Sequence, residues 1–410
     1  MKINVGIGFV TGRKQFQNVL KSYINNWLEH GLLSNYTITF HVFVAYDLKY
    51  RGTKPSDYKN IPPELAEVLG SINFLDNKTI SAEINYLKTE NILDQRKSKL
   101  LFGDGYGKKR NVVTYFAIKH KMDRLIFIDD DEYPIATMKN EKGNLIWMGQ
   151  SIVGTHLKYI GKADITHGHH CGYISPIPFI RFNNVLSEND FKLFIEAISN
   201  DIISWEKIKH LLNEDKGVTY ADPAIINESI LSEVKEDNGM KFISGANLCF
   251  NLKNTTNLPP FFNPPGARGE DTFMSTALSK LKVLKVPCYS FHDGFSMYNY
   301  ILHGVLPVSL EAIDVTSISV LKRFIAATIG WIRYKPLLVY ITQRGEYEHK
   351  MLEIEGKLNS TIPKLCAYFK TDEFEKLHDE FVFYRKNVDR HFNDFEDTKS
   401  AWKQLMKEMN

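Results

Sequence analysis

A chain of 410 residues with 43% hydrophobic and 24% charged content carries ample material for a large core, which excludes a disordered or fibrous protein. Its formal net charge of +3 is too small to point to a nucleic-acid partner. The cysteines Cys171, Cys249, Cys288 and Cys366 are far apart and form no Cys-x-x-Cys pair, so buried thiols in a reducing cytosol fit better than a disulfide framework.

The opening residues 2–10 lack the basic, apolar and cleavage regions of a signal peptide. No apolar run reaches the ~20 residues that span a bilayer. A cytoplasmic location is therefore expected. Residues 3–10 read as a first strand closed by Thr11-Gly12-Arg13, followed by a helical stripe through Phe16, Val19, Leu20, Tyr23, Ile24 and Trp27. A second strand, 36–46, delivers Asp47, and a third, 71–75, delivers Asp76. Taken singly, both aspartates are what turns and caps use. Strands alternating with helices nevertheless predict a parallel, doubly wound sheet whose ligand crevice lies beyond the C-terminal strand ends.

Residues 103–111, Gly-Asp-Gly-Tyr-Gly-Lys-Lys-Arg-Asn, read as a glycine-rich basic loop before a helix. The loop has neither a Walker ending nor a dinucleotide fingerprint. The next strand, Arg124 to Ile128, runs straight into Asp129-Asp130-Asp131-Glu132. Adjacent carboxylates on one short loop repel, and a hard divalent cation relieves that repulsion while leaving positions for phosphates. Mg2+ or Mn2+ is the expected cofactor.

Further on, residues 164–173 hold three histidines and a cysteine. They are too crowded to close a zinc tetrahedron and predict a strand edge and loop at the mouth of the site. Ser187 to Asp190 forms a capping box. Residues 242–252 read as a strand interrupted at Gly245, where a ligand or another backbone comes close. A loop, 263–269, then leads to Glu270-Asp271 in the first turn of a helix, where acids suit the helix dipole. The last strand begins at Val283 and leads to Phe291-His292-Asp293-Gly294. Residues 301–410 are expected to form a helical C-terminal region after a catalytic domain of residues 1–300. Its first helix, 317–340, interleaves Lys322, Arg323, Arg333 and Lys335 with apolar residues. It suits either a membrane surface or packing against the domain.

In order, Thr11-Gly12-Arg13, Asp47, Lys109-Arg110-Asn111 opening a helix, and Ile126 to Asp131 resemble a GT-A glycosyltransferase. The likeness covers roughly residues 3–295 and is to the family-2-like group of nucleotide-sugar-dependent enzymes. It implies an α/β GT-A fold, a Rossmann-like doubly wound mixed sheet. It further implies that Thr11, Arg13, Asp47, Lys109, Arg110 and Asp130 bind a UDP- or GDP-linked sugar donor, and that Asp129, Asp131 and His292 hold the metal. Gly266 to Asp271 matches the Gly-x-x-Gly-Glu-Asp motif of that family, which makes Asp271, beside Glu270, the base that deprotonates the acceptor hydroxyl in an inverting transfer. Gly245, Asn247 and Arg268 are assigned to the acceptor, a glycan, glycolipid or other lipid-linked or small molecule, with contact to the inner face of the membrane through residues 317–340. Three alternatives stay open: a retaining transferase, a sugar nucleotidyltransferase and a non-catalytic carbohydrate-binding protein. Thr11-Gly12-Arg13 is too short for the glycine-rich loop of the second.

Overall fold

The parallel strands over residues 3–11, 38–46 and 124–127 are largely apolar runs, the pattern of strands buried on both faces. The computed structural model describes residues 2–49, 52–200, 205–206, 208–209 and 215–409. The strands are β1 (Ile3–Thr11), β2 (Ile38–Tyr46), β3 (Ser71–Leu75), β4 (Arg124–Phe127), β5 (Glu132–Tyr133), β6 (Ile135–Lys139), β7 (Leu145–Gly149), β8 (Ile165–Gly172), β9 (Ser232–Glu233), β10 (Leu248–Asn251) and β11 (Val283–His292). The main sheet runs β3-β2-β1-β4-β10-β8-β11-β5, with β9 beside β11, while β6 and β7 form a separate hairpin. β3, β2, β1 and β4 are mutually parallel; β10 is antiparallel to β4 and β8, and β11 is parallel to β8. The protein is thus α/β with a large mixed sheet.

β1 has β2 on one side and β4 on the other, with Ile7 level with Val42 and Ile126. The chain leaves the two sides of β1 in different directions, and such a switch point opens a crevice at the C-terminal strand ends. Helices α1 (Phe16–Glu29), α2 (Asn77–Thr89), α3 (Gln95–Leu101), α4 (Tyr106–Lys119) and α5 (Ile152–Tyr159) lie among these strands. α1 buries the predicted stripe from Phe16 to Trp27 against the sheet.

Three expectations change. The basic loop is shorter than predicted, because α4 begins at Tyr106 and takes Lys108 to Asn111 into its first turns. The predicted strand over 242–252 shrinks to β10, since Asn247 adopts a positive φ of 48° and turns the chain before it. β8 is an interior strand between β10 and β11 rather than an edge.

The helical C-terminal region packs on the rest of the protein, as the second reading of residues 317–340 expects. It comprises α8 (Ile318–Thr342), α9 (Tyr347–Phe369), α10 (Lys376–Lys386) and α11 (Val388–Met409), after α6 (Glu188–Ile198) and α7 (Glu270–Ser275). Phe191 and Phe194 of α6 share one apolar cluster with Phe324, Leu338, Met351 and Phe381. Trp402 of α11 sits in the cluster that holds Val113 and Phe127, and its indole donates to the Leu258 carbonyl at 2.9 Å. Residue 300 therefore marks no boundary in the core. Among the described residues, α8 is the one helix long and apolar enough to cross a membrane, and 67% of its most apolar window is buried in the protein. Of its four cations, Lys322 is exposed, Arg333 pairs with Glu380, and Lys335 is buried on the Ser199 carbonyl. Arg323 stacks on Phe295. The helix presents no continuous basic face.

Candidate active site

The ends of β1 and β4 meet through side chains. Thr11 is buried, donates to Asp130 Oδ2 at 2.6 Å and accepts the Arg13 N–H at 3.1 Å. The Arg13 guanidinium donates to Asp131 and lies 3.5 Å from Asp130. From the opposite wall, His292 at the end of β11 places Nε2 3.4 Å from Asp131 Oδ1. β5 holds this wall in place by pairing Glu132 with His292. Glu132 is itself buried, accepting from Ser290 Oγ at 2.9 Å and lying 3.1 Å from His170 Nε2.

Arg110 joins this cluster to the second acidic pair. Its guanidinium donates to Asp129 Oδ1 at 3.0 Å and to the Gly245 carbonyl, and lies 3.5 Å from Glu270. It is sandwiched near the rings of Phe127 and Phe261, 5.1 and 5.7 Å from their centroids. Glycine at 245 lets the guanidinium come this close, since a Cβ there would sit 3.0 Å from it. Asn111, one residue on, pins Phe261 by bonding both its N–H and its carbonyl.

The acids respond unequally. Burial pushes Asp129 and Asp130 above the ordinary carboxylate range, Asp130 to about 7 even with Arg13 beside it. Burial also opposes ionisation of Asp131, yet His292 and Arg13 together hold it far below that range. His292 loses charge to burial but gains more from Asp131, and rises to about 9. Asp271 is lifted to about 7 by burial and by Glu270, with Arg110 pulling the other way. Its Oδ1 accepts the Thr272 N–H at 2.8 Å. A carboxylate poised near neutrality can take up a proton at working pH.

The crevice thus collects Thr11, Arg13, Arg110, Asp129, Asp130, Asp131, Glu270, Asp271 and His292. Other expected residues do different work. Asp47 accepts from the Lys49 N–H at 2.8 Å and shapes its own turn. Asp76 caps α2 through the Thr79 N–H; burial opposes its ionisation, but the Thr79 N–H and hydroxyl together with Lys59 outweigh it and the carboxyl falls to about 2. Lys109 is buried and donates to the Tyr46 carbonyl at 3.2 Å, so it secures the end of β2. Asn247 is 1% exposed and spends its amide inside the protein. It donates to the His169 carbonyl at 3.0 Å and accepts from His156 Nε2 at 2.9 Å. Arg268 is exposed, and its N–H bonds the Gly330 carbonyl.

The three expected metal ligands are not preassembled. Among the described residues, the one group of potential ligand atoms within 4.8 Å of one another is Cys366, Asp372 and Glu375, where α9 gives way to α10. Its two acids are exposed, and such groups commonly hold no ion. Sequence reasoning missed Glu132, His170 and Ser290. Glu132 had a signal, since it extends the acidic run; the other two gain meaning only from β8 and β11 lying side by side.

No family model matches the chain, and no curated protein matches it. The chemistry of the crevice therefore has to be read from its own residues.

Proposed function

We propose that this protein is a metal-dependent glycosyltransferase of GT-A type, moving a sugar from a UDP- or GDP-linked donor to a hydroxyl on a glycan or lipid-linked acceptor. The observation that carries the reading is Arg110. One buried guanidinium links the acidic end of β4 to the Glu270–Asp271 pair, which would put diphosphate neutralisation and proton removal in one crevice.

The donor set suits Mg2+ or Mn2+: the carboxylates of Asp129 and Asp131 with the imidazole of His292 beside them. Asp129 is the open member, with 33% of its side chain exposed against 9% for Asp131. A bound ion would supply charge neutralisation on the departing diphosphate. Arg13 would supply further positive charge to the same group, and Thr11 would keep Asp130 turned inward. Asp271 would accept the proton of the acceptor hydroxyl as that oxygen bonds to the anomeric carbon and the bond to the diphosphate breaks. A single displacement of this kind would give an inverted product.

Titration calorimetry with UDP and GDP, with and without Mn2+, tests the reading. Nucleotide binding that strengthens with Mn2+ and loses this dependence in Asp131→Asn is expected. Unchanged binding and full turnover in EDTA would overturn it.

A further inference from the structure

α8 touches two loops of the crevice, the one that follows His292 and the one that precedes Asp271. Near its N-terminal end, Arg323 stacks 4.6 Å from the ring centroid of Phe295, just beyond His292. Nearer its C-terminal end it grips the loop that precedes Asp271. Arg333 donates to the Gly266 carbonyl at 2.9 Å, and the Gly330 carbonyl accepts the Arg268 N–H at 3.1 Å. Tyr334 packs on Gly269, whose φ of 87° and lack of a Cβ let the ring approach: a Cβ would lie 3.0 Å from it. From α10, the Tyr384 hydroxyl donates to the Pro265 carbonyl. Arg333 is in turn held in a fork by Glu380 at 2.8 and 2.5 Å.

We infer that α8, with α10 behind it, is the clamp that sets the position of Asp271, and that Arg333 is its positioning residue. The inference rests on the transferase reading for the role of Asp271, while the clamp itself stands on these contacts. Asn263 braces loop 263–269 from within, through the Pro264 and Ala267 carbonyls. From residues 330–384 come the hydrogen bonds of Arg333 to the Gly266 carbonyl, of the Gly330 carbonyl with the Arg268 N–H and of Tyr384 to the Pro265 carbonyl. The Arg333–Glu380 pair is about a quarter exposed on each side, so as an ion pair it contributes little to global stability. Its effect is local. It holds one carbonyl of a loop whose next element carries the base, and a misplacement of ~1 Å at a reacting group costs on the order of 100-fold in rate.

The test compares Arg333→Ala, Arg333→Lys and Tyr384→Phe with the wild-type full chain. Amide hydrogen exchange over 264–273, melting temperature, and kcat and KM for the nucleotide-sugar donor are read. In Arg333→Ala, exchange over 264–273 should rise at least ~10-fold with melting nearly unchanged. Its kcat should fall ~10–100-fold at constant donor KM. Arg333→Lys should recover part of both effects, because an ammonium still reaches one of the two partners. Tyr384→Phe should shift both in the same direction by less, and it carries the test alone if Arg333→Ala fails to fold. Unchanged exchange over 264–273 overturns the clamp, and faster exchange with unaltered kcat overturns the positioning role. If exchange behaves as expected while the wild type turns over none of a panel of UDP- and GDP-sugars, the clamp stands and the transferase reading falls.

Discussion

A carboxyl raised by burial is a liability to the fold that a catalytic role would justify, and Asp271 is such a group. Its ordinary value of 3.8 becomes about 7 in the folded protein. Below the ordinary value it is neutral in both the folded and unfolded chain, so it costs nothing. As pH climbs toward 7 the unfolded chain ionises while the folded one holds its proton, and stability falls. Above 7 the penalty is complete. Asp271→Asn should therefore melt higher than wild type at pH 8, with a smaller gain at pH 5, as scanning calorimetry at the two values would show. Turnover should move the opposite way, down at least ~100-fold, because Asn cannot accept the proton. A variant that melts earlier and keeps its rate would make Asp271 a helix-start residue only. Wild-type kcat should rise with pH toward a plateau above about 7, the same titration seen in the rate.

At the scale of single elements, the sequence carried most of what local periodicity dictates. The apolar runs of β1 and β4, the stripe of α1 and the capping box at Ser187 all stand where they were read. The acidic run after β4 was legible as a pattern, while its partners Thr11, Arg13 and His292 come from the ends of other strands. What escaped depends on which strands become neighbours. Asn247 looked like a group on the acceptor side, but the antiparallel entry of β10 beside β8 puts its amide between His156 and the His169 carbonyl. Lys109 looked like a phosphate ligand, but α4 begins one turn earlier than expected and aims it at β2. These two misreadings separate cleanly by experiment. Asn247→Ala should cost about 1–3 kcal/mol for each buried group it leaves unpaired, measured by urea denaturation, with acceptor KM unchanged. A residue that binds the acceptor would show the reverse, normal stability with raised KM.

For the whole molecule, the question is whether residues 301–410 are an appendage. Periodicity alone could show only that they are helical, because an amphipathic stripe does not name the surface it covers. The structure supplies that surface. α11 inserts Trp402, Leu405 and Met406 into the cluster that also contains Phe127 of β4, the strand that ends in the acidic run. Arg96 of α3 ties the same helix down through Asp394 and Asp397, at 3.2 and 2.6 Å. The crevice and the C-terminal helices therefore share one core and should unfold together. Trp402→Ala removes a fully buried indole and its bond to Leu258, a change that typically costs about 3–5 kcal/mol. If the region were independent, the variant would show two transitions, with the helical signal lost first and nucleotide binding surviving it. A shared core requires the opposite. Far-ultraviolet circular dichroism and UDP or GDP binding, followed through the same urea titration, should fall on one curve in both proteins, with the midpoint lower in Trp402→Ala. By the same logic a chain cut at residue 300 would expose the faces that α8 and α11 now cover, and should be recovered as aggregate rather than as a soluble domain.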